Sequence, residues 1–243
     1  MTYLRFLLKG KRAHFRRFYT NSSSLTYPAP PPATLLGILG AALGMGPEYG
    51  ERLKGLLLSV RPLGPQRTLL QAVNHLFLKA DAPSPKELRG LYRDGRTQIP
   101  LEFLLPVGEE PLAYEVYAAG EGGLLARLQE ALASPAYPLS LGLAGLHAWA
   151  EGVELGEGEV REGGEGIEAV GLLRAEGLEP DWERAHGLRL YRDRFPLRLG
   201  PDRRPLEVAE LALEAEGRPL PLKAYRGPLL QTPGGWVGLV AVG

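Results

Sequence analysis

Residues 28–44, PAPPPATLLGILGAALG, constrain the fold more than any other stretch. Pro28 and the run Pro30, Pro31 and Pro32 fix φ and remove backbone donors, so the chain must run extended into a helix that tolerates proline only in its first turn. That helix is apolar and punctuated by Gly37, Gly40 and Gly44. Each glycine costs about 1 kcal/mol relative to alanine in a helix interior. Another element must therefore pack close to this face, and a sheet is the expected neighbour. Ahead of the prolines stand His14, Phe15, Arg16, Arg17, Phe18 and Tyr19, then a polar run of Thr20, Asn21, Ser22, Ser23 and Ser24. Cations, rings, hydroxyls and a closely approached helix together make a cradle for a phosphodiester backbone and its bases.

Charge sharpens this reading. The formal net charge is zero, but the charges are segregated. Arg5, Lys9, Lys11, Arg12, Arg16 and Arg17 all precede the first acidic residue, Glu48. Residues 151–183 are dominated by carboxylates, with only Arg161 and Arg174 against them. A basic N-terminal face on a neutral chain is compatible with local nucleic-acid binding. The acidic region is expected to face solvent or a basic protein neighbour. It lacks EF-hand spacing, which argues against a calcium site.

At 243 residues the chain is long enough for one large domain or two small ones. No apolar run is long enough to span a bilayer, and the first residues carry charges without a secretory cleavage pattern. Cysteine is absent, which removes disulfides, thiolate metal sites and cysteine nucleophiles and fits a cytoplasmic protein. Many prolines, with arginine in excess of lysine, point to a heat-loving source or a GC-rich genome.

Hydrophobic patterning gives a strand at 3–9, a loop or short hairpin at 10–27, a helix at 33–43 and a strand at 56–61. Residues 66–106 form an extended arm inserted in the core, with Asp94-Gly95 as its hairpin turn. A third core strand follows at 112–118, a helix at 123–133 with leucines at helical spacing, and a fourth strand at 137–143. This order is that of an α+β, ferredoxin-like fold, the architecture of RNA-recognition modules. Residues 1–150 are thus the core. Residues 151–243 are a β-rich extension packed on it, with short strands at 153–160, 167–174, 188–199, 206–214 and 236–242.

Neither GxxxxGK[ST] nor GxGxxG occurs, and His14, His75, His147 and His186 show no metal-ligand spacing. His14 has three readings. It could deprotonate a 2′-hydroxyl in a metal-free ribonuclease, it could contact RNA, or it could be a solvated loop residue. No cofactor is expected.

The stretch FRRFYTNSSSLTYPAPPPATLLGILGAALG resembles the N-terminal signature of the Cas-five family, subunits of CRISPR Cascade effector complexes, and is most similar to the type I-B branch. TQIPLEFLLP followed by AYEVYAA, and LQEALASPAYPLSLGLAGLHA, agree with it. The resemblance implies a RAMP core with a β-hairpin arm between the second and third core strands. It also implies a grip on the 5′ handle of the guide RNA, a cap on the backbone of repeated subunits, and contact with the large subunit. Under this resemblance Lys11, Arg12, His14, Arg16, Arg17, Tyr19, Thr20, Asn21, Ser22 and Ser23 bind the handle. Arg93, Arg96 and Gln98 at the arm tip reach RNA and the neighbouring subunit. One branch of the family, type I-C, cuts precursor RNA with a Tyr, His and Lys set. No matching lysine stands with His14, so the expected role is non-catalytic, with a metal-independent endoribonuclease as the alternative.

Overall fold

The structure is a computed structural model, and it describes residues 1–20, 23–76, 84–89 and 96–242. In chain order the elements are β1 (Thr2–Gly10), α1 (Pro32–Ala42), α2 (Tyr49–Arg52), β2 (Leu57–Pro62), β3 (Gln66–Leu76), α3 (Pro85–Leu88), β4 (Arg96–Pro106), β5 (Leu112–Ala119) and α4 (Gly122–Ala133). There follow β6 (Ala148–Glu157), β7 (Glu159–Gly171), β8 (Leu173–Arg174), β9 (Leu178–Pro180), β10 (Leu190–Leu199), β11 (Pro205–Glu214), β12 (Leu220–Thr232), β13 (Gly235–Gly238) and β14 (Val240–Ala241).

The central sheet has the order β14-β2-β5-β1-β6, with every neighbour antiparallel. α1 connects β1 to β2, and α4 connects β5 to β6, so each helix crosses over one intervening strand. β1 is an interior strand, between β5 and β6, and both of its faces are covered. Leu4, Phe6 and Leu8 enter the main core, while Tyr3 packs on Tyr117, Leu230 and Val237. Glu115 on β5 is 2 % exposed and lies between Arg5 on β1 and Arg61 on β2, each at 2.6 Å. One carboxylate thus ties the three middle strands together.

α1 begins on Pro32, with Pro31 at φ −57° and ψ 154° leading in. It ends in a Schellman turn: Gly44, at φ 69°, donates to the Ala41 carbonyl, and Met45 donates to that of Gly40. Leu35, Leu36, Ile38 and Leu39 are all buried, because the helix lies between the central sheet and Phe195, Leu197, Leu211 and Leu213 of β10 and β11. A helix apolar all round needs two such partners, and each buried leucine contributes about 2 kcal/mol. The glycine face meets neither sheet. A methyl group on Gly40 would lie 2.6 Å from Cβ of Tyr49 on α2, so a ring packs where a sheet was expected.

Two corrections concern the core. Residues 137–143 make only an isolated bridge, Ser140 to His147, and the fourth strand is β6, hydrogen-bonded along β1. β6 crosses residue 150, and β14 returns to pair with β2, so chain on both sides of that residue builds the central sheet. The segment between β2 and β5 contains the ribbon β3–β4, paired from Gln66–Pro106 to Leu76–Arg96. Its Asp94-Gly95 turn lies outside the described residues. Half of the ribbon belongs to the core. Leu101 and Leu104 are each 4 % exposed, whereas Leu69 and Leu70 on β3 are exposed.

The C-terminal strands form two further sheets, β10-β11-β8 and β13-β7-β12-β9. The acidic stretch is largely exposed, as expected, and its start also meets basic side chains of this chain. Glu151 on β6 pairs with Lys9 at 2.7 Å, and Glu154 with Arg5 at 3.6 Å. Its basic neighbour is the chain's own first strand.

Candidate nucleic-acid interface

Residues 13–20 and 23–27 fold back on each other as the two legs of a short hairpin. Arg17 N–H donates to the Leu25 carbonyl, Tyr27 N–H donates to the Phe15 carbonyl, and Arg16 bridges Thr26. β4 holds both legs, through Ala13 against Leu104 and Ser24 against Leu101. Glu102 adds a side-chain tie, accepting from Thr26 N–H at 2.9 Å. The hairpin is therefore joined to the ribbon by backbone and side-chain bonds of the chain itself.

His14 is 2 % exposed. Its Nδ1 lies 2.7 Å from the Glu102 carbonyl oxygen, which can only accept, so Nδ1 carries the proton. Nε2, 3.0 Å from Ser24 Oγ, then accepts from that hydroxyl. Burial lowers the pKa below the ordinary 6.5; the Glu102 carbonyl opposes this shift and the Arg16 charge adds to it. His14 is a neutral cross-brace inside the hairpin, away from solvent. Phe15 is also buried, edge-on to Tyr114 at 5.7 Å, and offers no free face.

A pH dependence follows. The unfolded chain takes up a proton at His14 more readily than the folded one, so this residue's contribution is complete above pH 6.5. Stability is lost as pH falls below 6.5, and the loss levels off below the folded-state value. Denaturant midpoints of the native chain should fall between neutral and mildly acidic pH, and His14→Gln should flatten that fall. An equally steep fall in the variant would refute the assignment.

The other expected residues divide by their partners. Arg17 donates from Nε to the Thr26 carbonyl at 3.1 Å, lies over the Tyr191 ring and pairs with Asp193 at 3.8 Å. Thr20 caps the turn by donating from Oγ1 to the Arg17 carbonyl, and Ser23 is half-buried. Tyr19, 37 % exposed, donates its hydroxyl to Asp193 at 2.6 Å. Lys11, Arg12 and Arg16 are exposed and have no carboxylate partner among the described residues; Arg16 donates to the Thr20 carbonyl at 3.1 Å. Asn21, Ser22 and Arg93 lie outside the described residues. Arg96 and Gln98 stand on β4 beyond Leu101, away from the hairpin, in register with Leu76 and Asn74. Of the six leading cations, then, Arg5, Lys9 and Arg17 are neutralised internally and three face solvent.

β10 supplies what the sequence reading missed. Asp193 accepts from Tyr19, from Tyr191 and from the Arg194 N–H. Burial would raise its pKa, but these bonds and the Arg17 charge outweigh burial and hold it below the ordinary carboxylate value. Tyr27 stacks on Phe195 at 4.5 Å and donates its hydroxyl to the Arg194 carbonyl at 2.6 Å. The run LYRDRF in β10 carries the same mixture of cations and rings as the hairpin, and that was the available signal.

These features define a strand-rich α+β protein that presents a cation-and-ring surface on a hairpin braced from two distant parts of the chain. The chain belongs to the family described as CRISPR-associated protein (Cas_Cas5), whose profile matches residues 3–203. A CRISPR protein from Archaeoglobus fulgidus shares the fold with a TM-score of 0.62 and 13% identity, over 99% of this chain and 100% of that one. A chain described as "CRISPR RNA-guided surveillance complex" shares it with a TM-score of 0.56 and 16% identity, over 91% of each chain. No curated protein matches the sequence. Among the described residues no helix is long and apolar enough to cross a membrane, and no three His, Asp or Glu side chains gather as a metal site.

Proposed function

We propose that this chain is a non-catalytic, RNA-binding subunit of a CRISPR type I effector (Cascade) complex. In this reading the 13–27 hairpin holds the 5′ handle of the guide RNA, and the subunit caps the backbone of repeated subunits. The observation that carries the reading is the set of exposed cations without a carboxylate partner among the described residues, Arg16 on a braced hairpin and Lys11 and Arg12 on the segment leading into it. Family membership and the likeness to a chain of an RNA-guided surveillance complex support it. The central sheet with its two crossover helices is then the ferredoxin-like RAMP core, and β3–β4 is the arm, reaching with Arg93, Arg96 and Gln98 toward a backbone subunit. The large subunit is a further partner, and the chain after β6, apart from β14, is an extension that completes the interface through β10.

The alternative, a metal-independent endoribonuclease, would need a base within reach of a 2′-hydroxyl. The hairpin histidine is sealed and doubly hydrogen-bonded, which favours the non-catalytic reading. Purified protein incubated with labelled repeat RNA in EDTA should retain the RNA and leave it intact. Cleavage at a defined position would overturn this reading in favour of the nuclease.

A further inference from the structure

We propose that Tyr19 and Arg194 form a nucleotide clamp, with an unpaired base stacking on the Tyr19 ring and the adjoining phosphate meeting the Arg194 guanidinium. The inference rests on the proposed RNA-binding function and names a subsite built by β10, outside the N-terminal segment. The Arg194 guanidinium carbon stands 5.4 Å from the Tyr19 ring centroid and 5.6 Å from that of Phe18. The two rings meet edge to face, with centroids 5.3 Å apart and planes at 86°. Arg194 is exposed and has no carboxylate partner among the described residues, so its charge is free for a ligand. Arg192, two residues away, differs: both of its bonds go to Glu210, each at 2.9 Å.

Preorganisation distinguishes this surface from an incidental basic patch. The Tyr19 hydroxyl is pinned to Asp193, and Asp193 is itself fixed by Tyr191, by the Arg194 N–H and by Arg17. A ring held at its tip loses little freedom when a base stacks on it, and the cation beside it favours an anionic partner. A flat aromatic next to a phosphate is the chemistry of a single-stranded nucleotide.

The test uses the full chain and a mixed-sequence single-stranded RNA carrying 2-aminopurine, whose fluorescence is quenched on stacking. Binding of the unaltered protein should quench it. Tyr19→Leu should relieve the quench and weaken binding about tenfold without changing the salt slope, because it removes stacking and no charge. Arg194→Gln should weaken binding and lower the log–log salt slope by about 0.7. Arg192→Gln, already neutralised by Glu210, should change neither. Salt-dependent RNA binding with no quench, and with Tyr19→Leu unchanged, would overturn the clamp and leave the proposed function standing. An unaltered chain that binds no RNA would overturn both. Loss of protein-subunit association in Tyr19→Leu, with RNA affinity intact, would assign the surface to protein and overturn the clamp.

Discussion

Replacing Lys11, Arg12 and Arg16 together by alanine should weaken single-stranded RNA binding roughly a hundredfold and flatten its dependence on salt. Each exposed, charge-assisted phosphate contact is worth about 1 kcal/mol after solvent screening, and three give about 3 kcal/mol. Each also releases counterions, so the log–log slope should fall by about 0.7 per contact, or about 2 in all. The paired cations set the control. Lys9 is held by Glu151, and Arg5 by Glu115 and Glu154, so alanine at either position should leave the slope unchanged. A filter-binding salt titration reads both quantities. The proposed interface fails if the triple variant binds like the native chain, or if Lys9→Ala has the larger effect.

Gly142→Ala should destabilise the fold by about 4 kcal/mol, among the largest effects of any single methyl group. Two causes act together. Gly142 sits at φ 98°, where a side chain is strained, and a Cβ there would lie 1.8 Å from the His14 carbonyl oxygen. The neighbour is backbone, already committed through the His14 N–H to the Leu141 carbonyl, so it has little freedom to withdraw. Gly145, three residues on in the same loop, has open space around its missing Cβ. Gly145→Ala should therefore change stability by no more than about 0.5 kcal/mol. Equilibrium denaturation of the two variants tests the close approach. Equal stability of the pair would mean that this loop does not press on the hairpin.

The central sheet was legible from sequence where local patterning decided an element's fate. β1, α1, β2, β5 and α4 fall within a residue or two of their expected limits, because apolar runs and proline or glycine boundaries act locally. The fourth strand was misplaced because β6, AWAEGVELGE, mixes glycines and carboxylates on a largely exposed edge. Its pairing with β1 draws on charges that lie far away in sequence. β12 escaped notice for a related reason. Pro221, Gly227 and Pro228 look like turn residues, yet the strand accommodates them with register shifts between Tyr225 and Pro228. The hairpin's cations and rings were visible as a composition, but composition says nothing about which of them are sealed. The burial of His14 depends on Glu102, and the neutralisation of Arg17 depends on Asp193.

The bond from Tyr19 to Asp193 spans 174 residues, and that from Tyr27 to Arg194 spans 167. During synthesis the hairpin emerges early, while the strand that fixes it emerges only after β1 to β9. A nascent chain thus carries its exposed cations long before the ring beside them has an anchor. Non-local contacts of this kind are also the slowest to close in refolding. The ring contacts of the hairpin are therefore completed only once β10 has been made, which couples the first loop of the chain to its later half.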